Sequence, residues 1–288
     1  APPITKTGSI QLREEAADGR ETGVVSDELW ELVEPLLPRK ERRFRSPGRK
    51  RLSDRHALSG ILFVLHTGIA WRHLPEELGF GSGITCWRRM EEWQEAGVWE
   101  DLHRLLLTRL RASGEIDWSR AVVDGSHVQA KKGSQTGPSP VDRGRRGSKH
   151  HILVDATGLP LAYSVTGGNR NDVTQLVPLM DRNPRLAASS VVLGAGPIVS
   201  LVTGATTMTA TGEGEKEKIE PLIARRGTEH GSGLGVYRWV VERTFAWLHH
   251  FKRLLVRYDR RADIHEAFLA LGCCLICFRR LAKSFETS

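Results

Sequence analysis

Residues 121–126 read Ala-Val-Val-Asp-Gly-Ser, and with them the chain changes its period. Before this point apolar residues recur every three or four positions. Here three run together and stop at an acid, a glycine and a serine. This pattern predicts a short buried strand closed by Asp124-Gly125-Ser126. Further on, His151 to Ala156 and Pro160 to Thr166 are expected as two strands joined at Thr157-Gly158 in a hairpin. The segment Asn169 to Leu179 is expected to be helical. Arg238 to Leu255 predicts a long amphipathic helix, with Val241, Thr244, Phe245, Leu248 and Phe251 along one side, and His265 to Lys283 predicts another. Strand, hairpin and C-terminal helices together predict an α/β domain over residues 116–288.

Upstream the reading is helical. Ser26 has the character of an N-cap, with Asp27 and Glu28 in the first turn and Leu29, Trp30, Leu32, Val33 and Leu36 at helical spacing. Ser53 opens a second helix over Asp54 to His66, and Ile84 to Gln94 and Val98 to Leu110 read as two more. Residues 26–112 are therefore expected to form a small all-α domain, preceded by a loose leader over residues 1–25. Between its first two helices lie eight Lys or Arg from Arg39 to Arg51, against Glu41 alone.

The balance of charge favours a polyanionic partner. Of 288 residues, 42 are Lys or Arg and 34 are Asp or Glu, a formal net charge of +8. At 40% hydrophobic and 26% charged, the composition is that of a globular chain. No apolar run is long enough to span a bilayer, and the first residues lack the apolar core of a signal peptide. A cytoplasmic, nucleoid-associated protein with no membrane partner is expected. Cys273, Cys274 and Cys277 lie too close on one helix to staple a fold, and fit inert core thiols.

Two acids suggest chemistry. Asp124 leaves a buried strand at a sharp exit, where a carboxylate is rigidly held. Glu242 lies early on a long helix that could aim it back at the strand. Two such carboxylates could share Mg²⁺ between them and a phosphodiester. The bland readings are a turn aspartate and a solvated ion pair.

With their neighbours these residues become specific. The segments 122–128 (VVDGSHV), 142–172 (DRGRRGSKHHILVDATGLPLAYSVTGGNRND) and 225–261 (RRGTEHGSGLGVYRWVVERTFAWLHHFKRLLVRYDRR) resemble insertion-sequence DDE transposases, in the branch called the insertion-sequence five family. Residues 26–38 and 48–75 resemble that family's helical DNA-binding domain. The resemblance implies a ribonuclease H-like catalytic core in 116–288, two Mg²⁺ ions, and an Asp-Asp-Glu triad. It makes Asp124 the first carboxylate and Glu242 the third. Arg238 matches the arginine of the family's Tyr-Arg-Glu-Lys/Arg signature, whose tyrosine position is Gly235 here and whose last basic position is His249. The implied partners are double-stranded DNA, as transposon terminal repeats and as target, and a second copy in a homodimer on that DNA. Arg42, Arg43, Arg49, Lys50 and Arg51 in the basic run are the first candidates for phosphate contact. Arg146 and Lys149, in a second cluster with Arg143, Arg145, His150 and His151, are the next.

The second carboxylate of the family pattern has no counterpart. Its interval holds Thr203-Gly204-Ala205-Thr206-Thr207-Met208-Thr209, inside a stretch, Leu186 to Gly212, that lacks any charged residue. A one-base slip in codons for Asp-Arg-Gly-Tyr-Asp-His-Asp yields this Thr-Gly-Ala-Thr-Thr-Met-Thr. Residues 182–219 are therefore read as an aberrant, frameshifted segment, with a divergent buried strand as the alternative. The expected function is metal-dependent cleavage of transposon ends and strand transfer. The alternative is a degenerate copy that binds DNA with impaired catalysis.

Overall fold

The computed structural model describes residues 23–40, 44–45, 50–182, 190–193, 221–223 and 235–286. The chain divides into two compact units, Ala1–Ala96 and Gly97–Ser288.

The first unit is helical. Helix α1 (Asp27–Val33) starts where Ser26 accepts a hydrogen bond from the Leu29 amide at 3.3 Å. Helix α2 (Asp54–Thr67) stops at Gly68, which takes a left-handed φ of 71°. Helix α3 is Gly83–Glu95. Leu29, Leu32 and Val33 of α1 are buried, as are Leu58, Ile61, Leu62 and Leu65 of α2 and Met90 and Trp93 of α3. Helices α2 and α3 approach closely at Gly60, where a Cβ would stand 2.6 Å from the Cys86 sulfur. The last residues of the expected leader belong to this core. Val25 is 3% exposed, and Arg55 donates to its carbonyl at 2.7 Å.

The second unit is mixed α/β. Helix α4 (Val98–Ala112) leads into strand β1 (Arg120–Ala130), followed by β2 (Gly137–Pro138), β3 (Arg146–Asp155) and β4 (Pro160–Gly167). Helix α5 (Leu176–Asp181), strands β5 (Ser190–Leu193) and β6 (Pro221–Ile223), helix α6 (Gly235–His249), strand β7 (Val256–Arg257) and helix α7 (Ala262–Glu286) complete it. The sheet runs β2-β3-β1-β5-β6, with β4 also on β3 and β7 also on β1. Strand β1 is the junction: antiparallel to β3 from Ala121↔Asp155 to Gln129↔Gly147, and parallel to β5 from Arg120↔Ser190 to Val123↔Leu193.

Four expectations are corrected. Helix α4 groups with the second unit, because its buried Trp99, Leu102, Leu106 and Leu110 lie against α7. Strand β1 does not close at Ser126 but runs on to Ala130, since pairing with β3 continues through Gln129. Residues 169–179 split into a turn, a 3₁₀ turn (Asp172–Gln175) and α5. The long helix ends at His249, and Lys252–Leu254 forms a separate 3₁₀ turn. Within the segment read as aberrant, Ser190–Leu193 is a strand beside β1, so the core position next to β1 is filled. Residues 203–209 lie outside the described residues. Among the described residues no helix is long and apolar enough to cross a membrane.

Candidate active site

Asp124 is the first residue of β1 past its last parallel pair with β5. Its backbone is still fixed on the other side by Ile152 of β3. The residue is 8% exposed, and its Oδ1 accepts the Gly125 amide at 2.8 Å. A carboxylate at the carboxyl end of a parallel pair, on a strand anchored by an antiparallel neighbour, is held rigidly at the place where open sheets bind ligands.

Alternation along β1 divides the surroundings of Asp124 into two faces. Asp124, Ser126 and Val128 share one. On it Ser126 Oγ lies 3.4 Å from Nε2 of His249 on α6, and His150 of β3, opposite Ser126, meets His265 of α7 at 2.7 Å between Nε2 atoms. Helix α6 packs against β1 and β3 on this face, burying Val240, Val241, Thr244, Phe245 and Leu248. Thr244 donates to Gly158 O at 2.7 Å, and Arg243 donates to Thr157 O. The Arg243 guanidinium lies between the Trp239 and Trp247 rings, at 4.7 and 4.8 Å from their centroids. These contacts tie α6 to the β3–β4 turn. Glu242, next in the chain to Arg243, is exposed, and shares its side of the helix with His249, two turns on. The structure thus brings the helix carrying Glu242 onto the sheet face carrying Asp124.

The opposite face holds a buried network. Lys149 Nζ meets the Asp172 carboxylate at 3.1 and 3.2 Å and donates to Arg170 O at 3.1 Å. His151 sits with Nδ1 3.1 Å from Asp172 Oδ1 and Nε2 2.7 Å from Thr166 Oγ1. Burial alone would raise the Asp172 pKa, but the His151 hydrogen bond and the Lys149 ammonium outweigh it and hold the carboxyl below its usual range. His127, whose Nδ1 is 3.3 Å from Ser139 Oγ, belongs to this face too. Burial, and then the charge of Lys149, pull its pKa down.

Of the candidate DNA contacts, Lys149 is corrected: it is 6% exposed and engaged by Asp172, so it does not face solvent. Arg146 is exposed, as is Lys50. Arg51 is half-buried and pairs with Glu92 at 3.1 Å and Asp54 at 3.5 Å. Arg42, Arg43 and Arg49 lie outside the described residues, as does the side chain of Arg238. Asp155 anchors a turn, accepting from the amides of Asp117, Thr157 and Leu159. Cys273, Cys274 and Cys277 are wholly buried, and burial pushes their thiols up. The sequence reading missed the Lys149–Asp172–His151 network and a wholly buried Arg257. The signals were an acid ending the Asn-Arg-Asn-Asp segment at 169–172 and an arginine next to an apolar run. Among the described residues no group of three or more His, Cys, Asp or Glu side chains could hold a metal ion.

Comparison with known proteins also gives two matches along the chain, the first of which ends inside α4. Residues 25–103 match the family model described as "Putative transposase of IS4/5 family", and residues 116–277 match the one described as "Transposase DDE domain". A Burkholderia cepacia protein named "Putative transposase for insertion sequence element IS402" is 55% identical over 154 residues, which is 53% of this chain and 73% of the relative. A second from the same organism, named as an uncharacterized 16.2 kDa protein of insertion element IS402, is 57% identical over 119 residues, 41% of this chain and 81% of that protein. An uncharacterized protein of Sinorhizobium fredii, y4sN, is 29% identical over 104 residues, 36% of this chain and 74% of that one. No solved structure gives a significant match. The DDE-domain match extends across residues 203–209, and these likenesses favour a transposase over a degenerate DNA-binding copy. With more than half of its length matching the transposase DDE domain, the chain belongs to the DDE transposases of insertion sequences.

Proposed function

We propose that this transposase acts on double-stranded DNA through a ribonuclease H-like second unit, with Asp124 and Glu242 as catalytic carboxylates. The reaction is cleavage at the ends of an insertion element and transfer of those ends to target DNA. Asp124's position supports this reading most: it lies where β1 leaves its parallel partner, on the face covered by the helix that carries Glu242. The Gly125 amide fixes the orientation of the Asp124 carboxylate before any substrate arrives. Two residues on along the same face, Ser126 Oγ lies 3.4 Å from Nε2 of His249 on the helix that carries Glu242.

DDE transposase domains generally use divalent metal ions, and carboxylate oxygens are the donors that a hard cation takes. Asp124 and Glu242 would hold Mg²⁺, two ions by the family pattern; the interval 203–209, where that pattern has its second Asp, carries no acid in this chain. Bound metal supplies positive charge where phosphoryl transfer develops negative charge. The helical unit, with Lys50 and the basic run of 39–51, would bind the terminal repeats; Arg238 would meet the DNA near the site, and Arg146, level with the far end of β1, would meet it farther along. A homodimer on DNA, in the cytoplasm at the nucleoid, completes the reading.

The test is cleavage of an element-end duplex by the full chain with Mg²⁺ or Mn²⁺. Asp124→Asn and Glu242→Gln should each lower the rate by at least about a hundredfold while leaving end binding intact. Variants that cut at the wild-type rate, or a wild type that cuts with neither metal, would overturn the assignment.

A further inference from the structure

At one end of the sheet, β7, β1 and β3 finish side by side. Ala130 pairs with Arg257, and Gln129 pairs with Gly147, so Lys131, Arg146 and Arg260 emerge from neighbouring strand ends. Adjacent strands are about 4.8 Å apart. The loops beyond them are irregular yet tightly held. Arg257, wholly buried, donates through Nη1 to Gln135 O at 3.0 Å and Ser148 Oγ at 2.7 Å. Its Nε donates to Asp259 O at 3.0 Å and its Nη2 to Arg260 O at 3.2 Å. The Lys131 amide donates to Arg257 O at 3.2 Å. Gly133 lies so close to Arg260 that a Cβ would stand 2.0 Å from its carbonyl oxygen. The turn at 139–145 closes on itself through Ser139 N to Arg145 O at 2.8 Å and Gly144 N to Ser139 O at 2.9 Å.

This rigid frame presents exposed Lys131, Lys132, Arg143, Arg145, Arg146 and Arg260. Asp142 lies among them, 3.8 Å from Arg145. Asp259 is turned inward onto the buried Arg253 at 2.9 Å. Holding like charges together is unfavourable unless a polyanion offsets it, and arginine forks suit phosphate oxygens.

We propose that this rim docks the sugar-phosphate backbone of duplex DNA without regard to sequence, a role resting on the transposase reading above. Six residue steps of β1 lead from Asp124 to Ala130, roughly 20 Å of strand. At about 3.4 Å per base pair, a duplex laid along β1 reaches from Asp124 to the rim in about six steps. The rim therefore grips DNA well outside the reacting phosphodiester and adds affinity rather than chemistry.

The experiment measures binding of the full chain to a 20-base-pair duplex of random sequence by fluorescence anisotropy across a salt series, the duplex length being about that of a short site. Removing three cations with Lys131→Ala, Lys132→Ala and Arg260→Ala should lower the slope of log affinity against log salt by about two to three units. Each single variant should lower it by about one. The matched control removes Arg104, Arg109 and Arg111 from exposed positions on α4, and its slope should stay at the wild-type value. A rim variant with the wild-type slope, or a control that falls as far as the rim variant, would overturn the inference. Element-end cleavage by the wild type decides the transposase reading separately, so a wild type that cuts but whose slope ignores the rim rejects the rim alone.

Discussion

Gly125 is a glycine because of what lies behind it. A Cβ there would stand 2.1 Å from Asp172 Oδ1 and 2.8 Å from Lys149 Cδ, so even alanine must push β1 or the ion pair aside. Since Asp124 is the preceding residue, Gly125→Ala should cost about 1–3 kcal/mol of stability and lower cleavage further at temperatures where the variant is fully folded. Equal specific activity of folded wild type and variant would contradict this. The ion pair itself is a second test. Lys149 and Asp172 are both largely buried, and removing one partner strands the other charge. Asp172→Asn or Lys149→Met alone should cost about 3–5 kcal/mol in urea denaturation, and the double variant should recover much of the loss. Single variants within about 1 kcal/mol of wild type would show that the pair is not the clamp. The sign of its pH dependence follows from a carboxyl held low in the fold. Its stabilisation is complete above the ordinary carboxylate range and is lost as pH falls through the depressed native value. Lys149 shows where reading residues singly stops. In sequence it belongs to a run of Arg, Lys and His that looks solvated, and nothing local says that an acid 23 residues on will close over it.

Among the elements, β3 and α7 are joined by two imidazoles, 115 residues apart, that no local pattern pairs. His150 and His265 are both wholly buried with their Nε2 atoms 2.7 Å apart, so at least one is neutral and accepts at Nε2 from the N–H of the other. Burial, with cationic neighbours adding to it, pulls His150 down to about 3 and His265 well below its usual value. The groups facing the pair are His249 of α6, His151 of β3, Arg257 of β7 and Arg253 of the 3₁₀ turn before it. A histidine whose native pKa is depressed binds protons more readily once unfolded, so stability falls as pH drops below about 6.5. At pH 5 one such imidazole costs on the order of 2 kcal/mol. Thermal unfolding of the wild type should therefore weaken between pH 6.5 and 5, and His150→Phe with His265→Leu should flatten that dependence. A double variant with the wild-type pH profile would remove the pair from the account. Periodicity in the sequence found these elements but misjudged their ends. Gly125-Ser126 looks like a strand exit, yet β1 continues because β3 offers partners as far as Gly147. The helix read as far as Leu255 breaks at His249, although Phe251 and Leu254 after the break keep the apolar spacing and are buried.

For the whole molecule, the change from helical to strand period near residue 116 correctly announced an α/β region, but it is not the boundary between the two units. Helix α4 reads like the helices before it, and its amphipathic pattern says that one side is covered without saying by what. The structure answers with α7. The Cys274 sulfur contacts Trp99 O at 3.7 Å, His103 meets Pro160 O at 2.9 Å at the start of β4, and Arg280 pairs with Glu115 at 2.7 Å just past the end of α4. Trp99, Leu102, Leu106 and Leu110 are each 1% exposed or less. At roughly 1.5–3 kcal/mol for each large apolar side chain, uncovering this interface costs an amount comparable to the whole stability of a domain. A fragment beginning at Gly97 should consequently be soluble and melt cooperatively, whereas one beginning at Ser113 should expose the apolar face of α7, bind a hydrophobic dye and aggregate. If the shorter fragment melts as sharply and at the same temperature as the longer one, α4 belongs with the helices that precede it, and the unit boundary returns to the place where the sequence changes period.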